Sequence, residues 1–249
     1  MSHQAELLSI IVPVYNEAAT VGAVIDRLLT IDLPLPREIL IVDDGSTDGT
    51  AEALDATARA RLPIVVLHAD RNAGKGSAVR YGLRCATGTI VAIQDADLEL
   101  DPRQLSALVD PILRGTTEVV YGSRFLRGRS GAPFVTFAAN RFLTFATNLL
   151  FASALTDMET CYKVMRTAVA RSLDLEAERF DIEPEITARL LRRGYLIHEI
   201  PVRFDARSRR QGKKIRWRDG IRALQVLIRE RRKARSGRSD RSERSIATD

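Results

Sequence analysis

The chain has few residues of the kinds that staple a fold or ligate a soft metal. Of its 249 residues only two are cysteine and three are histidine. Cys85 and Cys161 stand far apart, so neither a disulfide framework nor a cysteine zinc site is expected. The scattered histidines give no histidine metal site. No run of roughly 18 apolar residues occurs, which argues against a transmembrane helix. The first residues, Met1-Ser2-His3-Gln4-Ala5-Glu6, lack the apolar core of a signal peptide and lead directly into a strand-like run. These absences together predict a reducing, cytoplasmic setting.

What is present is ordinary in amount and uneven in placement. Hydrophobic residues make up 45%, enough for a sizeable core in one large domain or two small ones. The net charge is +6, yet residues 205–249 hold 16 Lys+Arg against 6 Asp+Glu, a balance of +10. The first 204 residues therefore carry −4. A basic C-terminal end seeks phosphate, on a nucleic acid or on an anionic membrane.

Apolar runs and helical periodicities alternate through the first half. Leu7–Val14, Ile39–Val42, Ile64–Leu67 and Ile90–Ile93 read as buried strands, each followed by a helix-spaced segment. Four such repeats predict a Rossmann-like, mostly parallel α/β sheet with helices on both faces. Three polar loops then fall on one sheet edge: Tyr15-Asn16-Glu17, Asp43-Asp44 and Asp95-Ala96-Asp97. Ligands bind at such strand ends. Asp95 and Asp97 close together repel each other unless a cation lies between them, and hard oxygen ligands suit Mg²⁺ or Mn²⁺ with a diphosphate. Read without their context, the same acids are a solvated loop before a helix capped near Asp101-Pro102. Tyr15 can pack on a base, or simply on the sheet edge. Asp44 can accept from a base or ribose, or bond its own turn. Gly74-Lys75-Gly76 has neither the Walker nor the dinucleotide spacing.

The second half adds Glu118–Tyr121 as a strand and Gly122-Ser123-Arg124 after it. Arg124 can grip a phosphate with two donors, or form a surface ion pair. Residues 142–155 carry no charge but are too few to cross a bilayer, so 134–155 is expected to be a helix on a core or an interface, a half-buried core helix before the other. Asp157 or Glu159 can orient an acceptor or act as a base, and Lys163 can neutralise a phosphate. Residues 182–193 read as a helix and 195–202 as a last strand. Trp217, Ile221, Leu224 and Ile228 then fall on one face of a basic helix, suited equally to an anionic membrane and to docking on the body. The expected division is a catalytic domain over 1–206, a basic loop and amphipathic helix over 207–233, and a disordered tail over 234–249.

The ordered set of motifs resembles one family. Val12-Pro13-Val14-Tyr15-Asn16-Glu17, Val42-Asp43-Asp44-Gly45-Ser46-Thr47-Asp48-Gly49-Thr50, Arg71-Asn72-Ala73-Gly74-Lys75-Gly76, Asp95-Ala96-Asp97 and Gly122-Ser123-Arg124 are similar to family 2 glycosyltransferases. Within that family the chain resembles the dolichyl- or polyprenyl-phosphate mannosyl- and glucosyltransferases, over roughly residues 7–230. The resemblance implies the GT-A fold, a nucleotide-sugar donor, a divalent metal (Mg²⁺ or Mn²⁺) and an inverting transfer. It places nucleotide-sugar contacts on Pro13, Tyr15, Glu17, Asp44, Asp95, Ala96 and Arg124. It places the metal on Asp95 and Asp97, with Glu99 standing where many mannosyl relatives carry Gln two places after the second Asp. Arg207 and Lys213 match positions for donor or acceptor phosphates. Asp157 and Arg124 are the expected catalytic pair.

The expected reaction moves a hexose from GDP-mannose or UDP-glucose to a polyprenyl or dolichyl phosphate. The enzyme is expected to sit peripherally on the cytoplasmic face of the membrane. The alternatives are a family 2 transferase with a sugar-hydroxyl acceptor, a nucleotidyltransferase, and a nucleic-acid-binding module. The nucleotidyltransferase would need an N-terminal glycine-rich basic loop that the chain lacks. The nucleic-acid reading leaves the acids at three strand ends without a role, so no nucleic-acid partner is expected.

Overall fold

The structure is a computed structural model. It describes residues 6–58, 63–97, 99–128, 133–205 and 220–233. Long apolar runs become strands: β1 (Leu8–Val14), β2 (Arg37–Asp43), β3 (Ile64–His68), β4 (Ile90–Ile93) and β5 (Val119–Ser123). β6 (Lys163–Arg166) and β7 (His198–Pro201) complete one seven-stranded sheet in the order β3-β2-β1-β4-β6-β5-β7. β1 pairs in parallel with β2 and β4, and β2 with β3. β6 runs antiparallel between β4 and β5, and β7 is parallel to β5.

Successive residues of a strand point to opposite faces. All four residues of β4 and all five of β5 are buried, as are six of the seven in β1. Such strands need cover on both sides, which is why they read as continuous apolar runs. Helices α1 (Val21–Thr30), α2 (Thr50–Ala58), α3 (Lys75–Cys85) and α4 (Leu105–Leu113) follow the first four strands, α4 after a short 3₁₀ turn at Pro102–Gln104. Asp101 caps that turn by accepting from the Arg103 N–H at 3.1 Å. α3 lies so close on the sheet that a Cβ at Gly82 would meet Ile11 at 2.5 Å.

Helix α5 (Phe134–Phe151) lies between β5 and β6, and α6 (Thr167–Ser172) and α7 (Ile182–Arg192) between β6 and β7. Residues 220–233 form one more helix, α8. Leu143 of α5, Met158, Ala188 of α7, and Ala223 and Leu227 of α8 make a second small core away from the sheet. α8 thus docks through Ala223, Val226, Leu227 and Glu230, while Ile221 and Ile228 are 49% and 38% exposed. The face expected from Ile221 and Ile228 is therefore not the one against the body. Trp217, Arg207, Lys213 and the 234–249 tail lie outside the described residues.

The sheet order reverses between β1 and β4, since the chain runs outward from β1 to β3 and then returns to β4 on the other side. A crevice opens at the carboxyl ends of strands on either side of such a point. Tyr15 follows β1 directly, and Asp95 stands two residues after the end of β4.

Candidate active site

The loops after β1 and β2 are laced together before any ligand arrives. Asn16 adopts a left-handed backbone, φ 53°, and its N–H donates to Ser46 Oγ at 3.0 Å. Its side-chain Oδ1 accepts from Thr47 N at 2.8 Å, and Glu17 N donates to Thr50 Oγ1 at 3.0 Å. Thr20 Oγ1 lies 2.7 Å from Glu17 Oε2 and 3.1 Å from the Ala96 carbonyl, which joins the β1 loop to the β4 loop. Pro13, Tyr15 and Glu17 are half-buried along this rim and Ala96 is buried beneath it.

Asp44 does more than close its own turn. Its carboxylate accepts from Ala73 N at 2.9 Å, Gly74 N at 2.7 Å and Asn72 Nδ2 at 2.9 Å. It therefore fixes the loop that starts α3. Glycine is required in that loop: Gly74 has φ 103°, and a Cβ there would meet the Glu178 carbonyl at 2.5 Å. A Cβ at Gly76 would meet the Ala177 carbonyl at 2.4 Å. The segment before α7 thus presses against the start of α3 and sets the direction of Lys75.

Lys75 is a functional candidate to which sequence reasoning gave no role. Its Nζ lies 2.7 Å from Asp95 Oδ1 and 2.8 Å from Glu183 Oε1. Glu183 Oε2 lies 2.5 Å from Lys163 Nζ. Lys163 is fully buried, donates to the Met158 and Thr160 carbonyls, and stands 4.8 Å from the Tyr121 ring centre. It is a structural counter-charge to Glu183 and has no route to a substrate phosphate, contrary to the sequence expectation. Burial opposes the charge on Asp95, but the Lys75 ammonium overrides it and holds the carboxyl below its usual range. Burial likewise opposes the charge on Lys75, but Asp95 and Glu183 hold its pKa well above normal. Lys75 and Glu183 are 108 positions apart, too far for any local pattern. The one signal was Glu183-Pro184-Glu185, two carboxylates in the first turn of a helix, where the helix dipole favours them.

A second ion pair joins the end of β5 to the segment before β6. Arg124 Nε and Nη2 reach Asp157 Oδ2 and Oδ1 at 2.7 and 2.8 Å, and the Arg124 N–H adds a third bond at 3.0 Å. Asn140 Nδ2 of α5 donates to Asp157 Oδ1 at 2.8 Å. Glu199 of β7 accepts from the Asp157 N–H at 3.0 Å. Arg124 also lies over the Phe125 and Phe204 rings, 5.2 and 5.3 Å from their centres. Asp157 is fully buried; that burial raises its proton affinity, but Arg124 and Asn140 hold its pKa below normal. With its carboxylate committed in this way, Asp157 orients Arg124 and is a poor proton acceptor. The positive charge of Arg124 also reaches Asp95 and lowers its pKa, so both pairs belong to one site.

Glu159 behaves oppositely. Burial and then the negative charge of Glu183 push its pKa up to about 7, with Lys163 and Arg124 offsetting part of the rise. Its Oε1 is buried with no hydrogen-bond partner among the described residues.

Among the described residues no three His, Cys, Asp or Glu side chains gather as a preformed metal cage. The expected Asp95, Asp97 and Glu99 set is thus not assembled: Asp97 Oδ1 accepts from the Glu99 N–H at 3.2 Å. The donor set still fits Mg²⁺ or Mn²⁺, because such ions are held by one or two carboxylates plus substrate phosphates. Asp95 already carries a cationic partner in the Lys75 ammonium, so the site tolerates positive charge there.

The fold and motifs match proteins of known type. The family described as glycosyl transferase family 2 matches residues 9–173. The chain belongs to glycosyl transferase family 2. Among relatives, an undecaprenyl-phosphate mannosyltransferase of Micrococcus luteus is 30% identical over 80% of this chain and 83% of its own length. A polyprenol monophosphomannose synthase of Mycolicibacterium smegmatis is 29% identical, covering 80% and 77%. A dodecaprenyl-phosphate galacturonate synthase of Rhizobium johnstonii is 27% identical over 69% of this chain, and the match spans only about half of that relative, 51%. Glucosyl-3-phosphoglycerate synthase of Mycobacterium tuberculosis, solved with UDP, shares the fold at a TM-score of 0.71 and 22% identity, covering 91% of this chain and 80% of that one. The same protein has been solved with Mn²⁺ and with Mg²⁺ beside UDP. This family 2 chain is therefore a glycosyltransferase with a mostly parallel α/β sheet of the GT-A kind. Among its described residues no helix is long and apolar enough to cross a membrane.

Proposed function

We propose that the enzyme transfers a hexose from a nucleotide diphosphate sugar to the phosphate of a polyprenyl lipid, at an anionic membrane surface. The observation that carries this reading is a pair of fixed cations beside Asp95: Lys75 is ion-paired with it, and Arg124, locked by Asp157, has a charge that reaches it. An acceptor phosphate needs positive charge to approach an anionic donor, and needs little help to ionise because its second pKa is about 6. The relatives that act on polyprenyl phosphates support the acceptor class.

In this reading Tyr15, Glu17, Pro13 and Asp44 form the rim that receives the nucleotide. Asp44 acts through the Asn72–Gly74 loop as well as directly. Asp95 and Asp97 would hold a divalent cation, which would supply positive charge to the departing diphosphate. Arg124 aims the acceptor phosphate, with Arg207 and Lys213 proposed as further phosphate partners. The phosphate oxygen attacks the anomeric carbon as the bond from that carbon to the diphosphate breaks, inverting the centre and releasing a nucleoside diphosphate. An Asp97→Ala change should remove metal-dependent transfer and leave the fold intact. Metal-dependent turnover retained in that variant sinks the assignment.

A second reading rests on Glu159. A carboxyl with a pKa of about 7 is suited to take a proton from a sugar hydroxyl. The deciding experiment measures nucleoside diphosphate release from GDP- and UDP-sugars with Mg²⁺ or Mn²⁺, with and without a short polyprenyl phosphate. Release that requires the lipid phosphate supports the first reading and names the donor. Release that proceeds with soluble glycans alone transfers the role of base to Glu159.

A further inference from the structure

Helix α5 is turned inside out relative to a helix that caps a core. Phe134, Val135, Phe142, Phe145 and Leu149 are 69%, 68%, 60%, 66% and 75% exposed. With about 100° of turn per residue, these five fall within an arc of about 100° on one side of the helix. Asn140, Leu143, Thr144 and Thr147 occupy the buried side. Three of those four are polar and all three are engaged: Asn140 with Asp157, Thr144 with Asn140 and the Met158 N–H, Thr147 with the Leu143 carbonyl. The expected half-buried helix is present, with its polar side inward and its apolar side in water. A contiguous aromatic strip left in water marks an interaction surface.

The neighbouring side chains indicate what covers it. Leu149 and Leu150 share a surface hollow with Ile228, Arg231 and Arg232 of α8. An adjoining hollow is lined by Gln225, Ile228, Arg229, Arg232 and Lys233. Neither hollow has an acidic lining residue, and α5 itself carries one charge, Arg141, and no acid. An apolar strip with a basic border complements the boundary between acyl chains and anionic headgroups. A second copy seated on the same strip would bring one arginine border against another.

We infer that the outer face of α5, together with the Ile228–Arg232 edge of α8, seats on the surface of an anionic bilayer. The same helix reaches the site from its other side, because Asn140 holds Asp157 and Asp157 holds Arg124. Arg124 then stands about one helix diameter, roughly 10–12 Å, from the lipid surface, within reach of a lipid-borne phosphate. This last step rests on the polyprenyl phosphate reading above; the docking itself does not.

The test compares the full chain with a Phe142→Ser, Phe145→Ser, Leu149→Ser variant and with an Arg231→Ser, Arg232→Ser variant. Sedimentation with vesicles of phosphatidylcholine plus phosphatidylglycerol, and of phosphatidylcholine alone, measures binding. Turnover with a short, water-soluble prenyl phosphate and thermal melting are measured beside it. The serine triple variant should bind anionic vesicles about tenfold or more weakly, with melting and soluble-acceptor turnover unchanged. The arginine variant should lose preference for the anionic vesicles. Unchanged vesicle binding in the triple variant overturns the inference. So does a wild-type dimer that the triple variant dissolves in the absence of any lipid binding. If vesicle binding depends on the strip but no prenyl phosphate is ever glycosylated, the docking stands and the acceptor assignment falls.

Discussion

At the residue scale the site is two carboxylates with opposite proton affinities, two positions apart. Asp157 is held ionised by Arg124, and Glu159 is pushed up to about 7 by burial and by Glu183. Asp157→Asn keeps the shape and removes the charge that fixes the guanidinium. Misplacing a positioned group by about an ångström lowers rates roughly 10²-fold, and that is the expected loss of turnover at saturating donor. Calorimetric affinity for the donor nucleotide should change much less. Glu159 makes a pH prediction with a definite sign. Its pKa in the folded chain lies above the unfolded value, so the folded state binds the extra proton between the two. Its contribution is fully favourable below about 4.5 and is lost as pH rises to about 7. Urea denaturation should show wild type losing stability across that window relative to Glu159→Gln, whose profile is flatter. Parallel profiles would remove Glu159 from the account.

At the element scale the glycine loop before α3 sets the position of Lys75. A methyl group at Gly76 meets the Ala177 carbonyl at 2.4 Å, so Gly76→Ala should cost about 1–3 kcal/mol in thermal unfolding, as overpacked sites do. It should also weaken donor binding by moving Lys75 away from Asp95. The sheet was largely legible as sequence because buried parallel strands are apolar on both faces; β4 was expected at Ile90–Ile93 and is found there. The order of strands was not, since β6 pairs with β4 across 70 residues of chain and its Lys163-Val164-Met165-Arg166 run begins and ends with charge. Helix α5 was legible as a helix, but periodicity reports two faces without saying which one faces inward. Asn140, Thr144 and Thr147 are buried there because Asp157 and a turn N–H need partners inside, a need set by residues far along the chain. The candidate site divides in the same way. Asp95 and Arg124 were singled out from motifs at strand ends, and Asp157 only as an alternative to Glu159 beside a strand, whereas Lys75 and Glu183 entered only once α7 was seen against α3.

At the scale of the whole molecule, α8 is tied to the body by a buried cluster of charge. Glu230 is fully buried, with Lys233 3.2 Å away and Arg189 and Arg192 each 3.6 Å away. Arg189 in turn pairs with Glu185 at 2.7 Å. Removing one member of such a cluster leaves the others uncompensated, and Glu230→Ala should destabilise the chain by about 3–5 kcal/mol in chemical denaturation. The same change should loosen α8 before the sheet, seen as earlier amide exchange in 220–233. If α8 exchanges with the sheet as one unit, the helix is not a separately opening part.

The reversed strand β6 has an effect on how this protein can change over generations. Tyr121 and Lys163 sit opposite each other on neighbouring strands, so the 39 residues between Ser123 and Lys163 leave and rejoin the sheet at adjacent points. That stretch contains Arg124, Asn140, Asp157 and the whole of α5, while the nucleotide rim and the Asp95 loop lie before it. Changes within the excursion can alter what receives the sugar without moving the chain on either side of it, but those near Tyr162, which bonds to Gln94 beside Asp95, reach the donor side as well.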